Sequence, residues 1–144
     1  MNTLKQVRLA VLTVGACCTF QAFSQGSSLT FNGIDNYITS PDASDINLIA
    51  QGSRTIECWF LADDISVGKQ IIYDEGDANN GYNIYLDSGR IYTGAWSETG
   101  SWDSGTYLSS TDISSNRWHH IALVIDGATT TLTADKFFVY LDGI

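Results

Sequence analysis

From residue 25 onward, apolar and polar positions alternate in short runs with a period of two, and no stretch holds a helical period for three turns. On that pattern strands are predicted at residues 28–32, 36–40, 54–61, 69–74, 81–86, 90–95, 117–125 and 136–141. Between them stand Asn32-Gly33, the polar run 74–81, Asp87-Ser88-Gly89 and Asp126-Gly127, all of it turn-forming chemistry. Strands joined by such short polar turns run antiparallel, and the single proline, Pro41, falls outside all of them.

Facing follows from the same alternation. In Thr55-Ile56-Glu57-Cys58-Trp59-Phe60, the set Ile56, Cys58 and Phe60 points toward a core, while Thr55, Glu57 and Trp59 point to a partly covered face. Beyond His119 and His120 both alternating sets up to Ile125 are apolar, as expected of a central strand covered on both sides. One exposed sheet does not meet these demands, whereas two packed sheets do. The predicted fold class is therefore all-β, an antiparallel two-sheet sandwich. The Ser/Thr/Gly-rich stretch 97–116, which holds Trp102 and Tyr107, is expected to be a surface excursion at one end of it. The run Phe137-Phe138-Val139-Tyr140-Leu141 leads into Asp142-Gly143, a strong hairpin signal because tight primed turns need the positive φ that these residues tolerate. With no returning strand after Ile144, the domain is expected to be incomplete at its C-terminus, a fragment of a longer β protein.

Residues 1–24 form a unit of another kind. Lys5 and Arg8 precede the apolar run 9–20, and the small residues Ala22 and Ser24 follow it. A basic start, an apolar centre short of the ~20 residues a spanning helix needs, and small residues at the end make up a secretory signal peptide, with cleavage expected before Gln25. Val14-Gly15-Ala16-Cys17 also resembles a bacterial lipobox, so a membrane-anchored lipoprotein lipidated at Cys17 is the alternative. Residues 25–144 then form one secreted or cell-surface domain with no transmembrane span.

Charge narrows the partners. The chain has 7 basic and 16 acidic residues, a net charge of −9, and removal of Lys5 and Arg8 makes the remainder more acidic still. Such a surface repels phosphate backbones, which argues against nucleic acid; its acidity is read as solubility in a saline exterior, with attraction of divalent cations as the functional alternative. Of the 3 cysteines only Cys58 lies outside the leader, so no internal disulfide can form, and its apolar strand marks it as core filling.

Four segments stand in order over nearly all of 25–144: Leu29-Thr30-Phe31-Asn32-Gly33-Ile34-Asp35-Asn36-Tyr37-Ile38, then Thr55-Ile56-Glu57-Cys58-Trp59-Phe60, then Trp118-His119-His120-Ile121-Ala122, then Val139-Tyr140-Leu141-Asp142-Gly143. Together they resemble the laminin-G-like members of the concanavalin A-like lectin and glucanase superfamily. The resemblance implies a jelly-roll sandwich that continues for a few strands past the last hairpin. It also implies a noncatalytic extracellular module for carbohydrate or another protein, in some members with a calcium ion at the rim. The same sandwich hosts lectins, adhesion domains and glycosidases, so side chains must decide the function.

His119 and His120 are neighbours in a strand and point to opposite faces, so they cannot chelate one ion together, and they fall on the family's structural Trp-His-His motif. For calcium, which needs six to eight oxygen ligands, Asp35 in the first tight loop is the candidate with Asn36 beside it. The family pattern often shows Asp where this chain has Asn32 and Asn36. Asp74, Glu75, Asp77 and Asn79 form a second oxygen-rich cluster, read as a solvated turn. The superfamily's hydrolases carry Glu-x-Asp-x-x-Glu or Glu-x-Asp-x-Glu strands, which are absent here, so no catalytic residue is assigned. Sugar rings pack on aromatic faces while their hydroxyls take hydrogen bonds, and Tyr92, Trp96, Trp102 and Tyr107 are the candidate ligand-facing aromatics. Trp59 and Trp118, both strand residues, are assigned to the core or to packing between sheets.

The chain is accordingly expected to be a noncatalytic binding module for carbohydrate or an extracellular protein, within a larger secreted protein. Its alternative is the accessory or catalytic sandwich of a secreted polysaccharide-degrading glycoside hydrolase, and a third class is a spacer in a surface protein.

Overall fold

The computed structural model describes residues 7–10, 26–43, 52–76, 80–97, 102–128, 133 and 135–144. Every regular element among them is a strand: β1 (Val7–Ala10), β2 (Leu29–Phe31), β3 (Arg54–Ala62), β4 (Gln70–Gly76), β5 (Asn80–Asp87), β6 (Arg90–Ser97), β7 (Trp102–Ser110), β8 (Trp118–Ile125) and β9 (Phe137–Leu141). A back sheet of five strands has the order β2-β1-β3-β8-β9, and a front sheet of four has the order β4-β5-β6-β7. All pairings are antiparallel. No helix among the described residues is long and apolar enough to cross a membrane.

The core is the layer between the sheets. Phe60, Ala62, Ile121, Leu123, Ile125 and Phe137 face inward from the back sheet, and Tyr82, Ile84, Leu86, Ile91 and Ala95 face them from the front sheet. Ile56 and Cys58 pack against this cluster as the alternation requires. Burial pushes the Cys58 thiol up to about 12, with Glu57 adding to the effect, so this thiol is held protonated at neutral pH. A bulge between Ile71 and Tyr73 lets consecutive residues Ile72 and Tyr73 both pack on the core while Ile71 remains outside.

Two tight turns share one geometry, and the first of them sets the β5–β6 register. At Ser88-Gly89 the backbone has φ 50° and 83°, and at Asp142-Gly143 it has φ 52° and 86°, the doubly left-handed geometry of a type I′ turn. Leu141 and Ile144 exchange backbone hydrogen bonds of 3.0 and 3.1 Å across the second turn. The Gly89 N–H donates to the Ile65 carbonyl at 2.8 Å, tying the β5–β6 tip to the β3–β4 connection.

Five expectations are revised. Residues 36–40 form no strand and lie exposed, Tyr37 at 78%, because no strand among the described residues pairs with them and side chains of Asn32 and Asn36 hold the chain in a turn instead. The stretch 97–116 is not a surface excursion throughout, since β7 lies within it and pairs with β6; its Ser/Thr/Gly composition there is that of an edge strand. Trp59 and Trp118 are not core residues, being 43% and 37% exposed, because Phe60 and His119 take the inward positions and alternation sends both indoles outward. Glu75 belongs to β4 rather than to a solvated turn, and its side chain turns inward. Central β8 has its outer set only partly covered, with Ala122 buried and Val124 half-buried. Val7–Ala10, within the segment expected to be a leader, has strand backbone between β2 and β3. The rest of that segment, with Cys17 and the expected cleavage point, lies outside the described residues.

The core makes two mutational predictions. Phe60→Ala empties a fully buried site and is expected to lower unfolding free energy by about 3–5 kcal/mol in urea denaturation. Thr93 is 1% exposed and its hydroxyl has no hydrogen-bond partner among the described residues, so the isosteric Thr93→Val should stabilise the fold by about 1 kcal/mol in the same measurement.

Candidate functional site

Burial of Tyr82, Ile84 and Leu86 on β5, and of Ile91, Thr93 and Ala95 on β6, leaves the alternate residues of both strands on the outer face of the front sheet. Cross-strand register sets them in rows. One runs Ile71, Tyr85, Tyr92, Ser109; the next runs Asp74, Asn83, Gly94, Tyr107; a third runs Gly76, Gly81, Trp96. The rings of Tyr85 and Tyr92 stack with centroids 5.1 Å apart at 13°, and the Lys69 ammonium lies 4.1 Å from the Tyr85 centroid on the β4 side. Trp96 lies against Gly81 so closely that a Cβ there would fall 2.2 Å from the indole, which is why this position carries no side chain. Between Tyr85 and Gly81 on β5, the Oδ1 atom of Asn83 is buried with no hydrogen-bond partner among the described residues. Tyr85, Tyr92 and Trp96 are each half-buried.

The structure thus brings Tyr92 and Trp96 together on one face. Trp102 and Tyr107 belong to β7, with backbones paired to Ser97 and Gly94, and their side chains lie outside the described residues. Tyr85, Lys69 and Asn83 join the face without having been singled out from sequence. The signal was present in Asp87-Ser88-Gly89, since a two-residue turn there forces Tyr85 opposite Tyr92.

Asp35 and Asn36 lie apart from these rows, in a loop closed by hydrogen bonds alone. Asn32 Oδ1 accepts from the N–H groups of Ile34, Asp35 and Asn36 at 2.9, 3.1 and 3.2 Å. Asp35 Oδ1 accepts from Asn32 Nδ2 at 2.6 Å and from Asn36 Nδ2 at 3.5 Å. One carboxylate and one amide oxygen fall short of six to eight calcium ligands, and no group of three or more His, Cys, Asp or Glu converges among the described residues. The described oxygens by themselves do not fit a calcium cage.

A second cluster has the outward form of a catalytic relay. His119 Nδ1 lies 2.8 Å from Asp142 Oδ2, and Ser114 Oγ lies 3.4 Å from His119 Nε2. The Ser114 backbone N–H, however, donates to the same Nε2 at 3.0 Å, which occupies the lone pair a general base would need and leaves the ring proton on Nδ1, facing Asp142. Asp142 Oδ1 accepts the His120 N–H at 2.9 Å, and the Asp142 N–H donates to the His120 carbonyl at 2.8 Å. The cluster clasps the last hairpin to β8. Partial burial opposes ionisation of Asp142, but the His120 N–H, the His119 ring and nearby Arg117 together hold its pKa below the usual carboxylate range. His120 points to the opposite face, 3.6 Å from Glu57 and packed on Trp59.

Between the sheets, Arg54 on β3 pairs with Glu75 on β4 at 2.6 Å and lies 5.3 Å from the Tyr82 ring centroid. The Tyr73 hydroxyl donates to Glu75, and burial, with that carboxylate beside it, pushes the phenol pKa upward. Glu75 is thus committed to Arg54 and Tyr73 inside the sandwich, while Asp77 lies outside the described residues.

The family model of the concanavalin A-like lectin/glucanases superfamily, in its laminin G form, matches residues 32–144. No curated protein and no solved structure matches the chain.

The clasp predicts a pH signature. Because the folded pKa of Asp142 is depressed, its contribution to stability is complete above the ordinary carboxylate pKa and is lost as pH falls through the lower folded value. Asp142→Asn should therefore destabilise the fold at neutral pH, and the gap from wild type in thermal unfolding should narrow as the solution is acidified through that range.

Proposed function

The chain belongs to the concanavalin A-like lectin/glucanases superfamily, and from that premise we propose that it is a noncatalytic, exported binding module that takes up carbohydrate on the outer face of the front sheet. The stacked Tyr85–Tyr92 pair and Trp96, held on one open face, carry this reading. Their rings offer apolar surface for sugar C–H groups, and the tyrosine hydroxyls, Asp74 and Ser109 in the same rows offer hydrogen bonds to sugar hydroxyls. The noncatalytic assignment is supported by the commitment of Glu75 to Arg54 and of the His119 lone pair to the Ser114 N–H. Lys5, Arg8 and the apolar run after them support export, by signal-peptide cleavage or as a lipoprotein through Cys17. A protein ligand is the second reading, favoured by Trp59, Trp118 and Tyr140, which are 43%, 37% and 43% exposed on the outer side of the back sheet.

A polysaccharide-binding screen of the purified chain, run with calcium and with chelator, tests the proposal. Binding to at least one polysaccharide is expected, with Tyr92→Ala and Trp96→Ala each weakening it about tenfold or more and Trp59→Ala leaving it unchanged. An absence of binding in both conditions, or binding that survives both substitutions on the front sheet, would overturn it. Loss of binding in chelator alone would assign calcium a part, to be traced with Asp35→Asn.

A further inference from the structure

Two cations bracket the tyrosine pair, and we propose that the ligand of this face is an acidic glycan, a polysaccharide bearing carboxylate or sulfate groups; the inference rests on the carbohydrate-binding reading of the same face. Across the front sheet the order is ammonium, ring, ring, guanidinium. Lys69 Nζ sits 4.1 Å from the Tyr85 centroid, Tyr85 stacks on Tyr92, and Arg90, two residues before Tyr92 on the same side of β6, reaches Ser109 Oγ of β7 at 3.4 Å. Both cations are exposed, and neither forms an ion pair among the described residues. Their placement stands out in a chain with 7 basic and 16 acidic residues. Of the other described basic side chains, Arg54 is held by Glu75, Arg117 stands 4.0 Å from Asp142, and Lys136 lies away from this face, with its Nζ beside Gly127.

The chemistry fits a charged sugar better than a neutral one. A pyranose ring laid across the tyrosine edges would carry its substituents toward Lys69 on one side and Arg90 on the other. Arginine presents paired N–H donors that match a carboxylate or sulfate, and lysine adds a point charge. Two carboxylates share the face: Asp87, in register with Arg90, accepts the Ser88 hydroxyl at 2.9 Å, and Asp74 lies on β4 in the next row. The net charge of −9 repels a polyanion at long range, so selectivity must arise at contact. Salt screens the general repulsion and the local attraction alike. Removal of the two charges is therefore the deciding variable.

The test compares polygalacturonate, dextran sulfate and neutral dextran as probes of the full chain and of a Lys69→Gln/Arg90→Gln double variant, with thermal unfolding confirming that the variant folds. The wild-type chain is expected to bind one of the two acidic polymers at least about tenfold more tightly than dextran, and the double variant to lose about tenfold or more of that affinity. Preference between polygalacturonate and dextran sulfate identifies the anionic group. Neutral dextran bound as well as the acidic polymers, or acidic binding unchanged in the variant, would overturn the acidic-ligand inference and leave carbohydrate recognition standing. Binding to none of the three probes, together with a positive neutral glycan in the broader screen, would overturn the acidic class alone; no glycan bound in either assay would remove both readings.

Discussion

The structure depends on a single constraint, the alternation of β5 and β6 across one tight turn. Ser88-Gly89 adopts left-handed backbone at both central positions, and that turn fixes Asp87 opposite Arg90 and every later pair with it. Once Ile84, Leu86 and Ile91 are buried, Tyr85 and Tyr92 have no choice but the other face. A slip of one residue would bury two phenols and expose the isoleucines. The energy that selects this register is apolar burial, about 1.5–3 kcal/mol for each large side chain fully removed from water. The candidate site is therefore the reverse side of the core, positioned by the same forces and needing no separate device to hold it.

Much of the fold was legible because alternation and turn chemistry agree along the chain. The Ile56, Cys58, Phe60 set faces inward as its spacing indicates, and the terminal Asp-Gly forms the primed turn its composition calls for. Strand β7 was not legible, since Trp-Asp-Ser-Gly-Thr-Tyr-Leu-Ser-Ser has no clean apolar alternation and pairs along only one edge. The segment 36–40 misled in the opposite sense, because Tyr37 and Ile38 are good β-formers with no strand among the described residues to pair with. Propensity states what a segment tolerates, whereas a strand also requires a partner. Of the candidate face, Tyr92 and Trp96 were visible in the sequence. Tyr85 with Lys69 is visible only after a register is drawn through the hairpin.

The most recognisable motif in the chain does not belong to the site. Trp118-His119-His120 and Asp142-Gly143 come together through His119 and Asp142, with His119 buried at 1% exposure. Asp142 places its two carboxylate oxygens on different donors, one on the His119 ring and one on the His120 backbone. That divided grip joins a turn to the strand before it, and a charged acceptor makes both bonds stronger than neutral ones. Its cost is a partly desolvated carboxylate, offset by the donors that hold the group ionised.

Glu75 links this scaffold to the candidate face. Its side chain turns inward to Arg54 on the opposite sheet, while its backbone carbonyl stands where a Cβ on Gly81 would come within 2.3 Å. Trp96 presses on Gly81 from the outside. One position of β4 is thus fixed from within by an ion pair and limits from beside it how closely β5 can be approached. A half-buried pair of this kind gains little net stability, since desolvation of both groups offsets their attraction, yet removing one partner would cost about 3–5 kcal/mol and release the strand end. The ion pair is better understood as an alignment device. It sets the height of the β4–β5 end against the back sheet, and the indole that rests on Gly81 inherits that height.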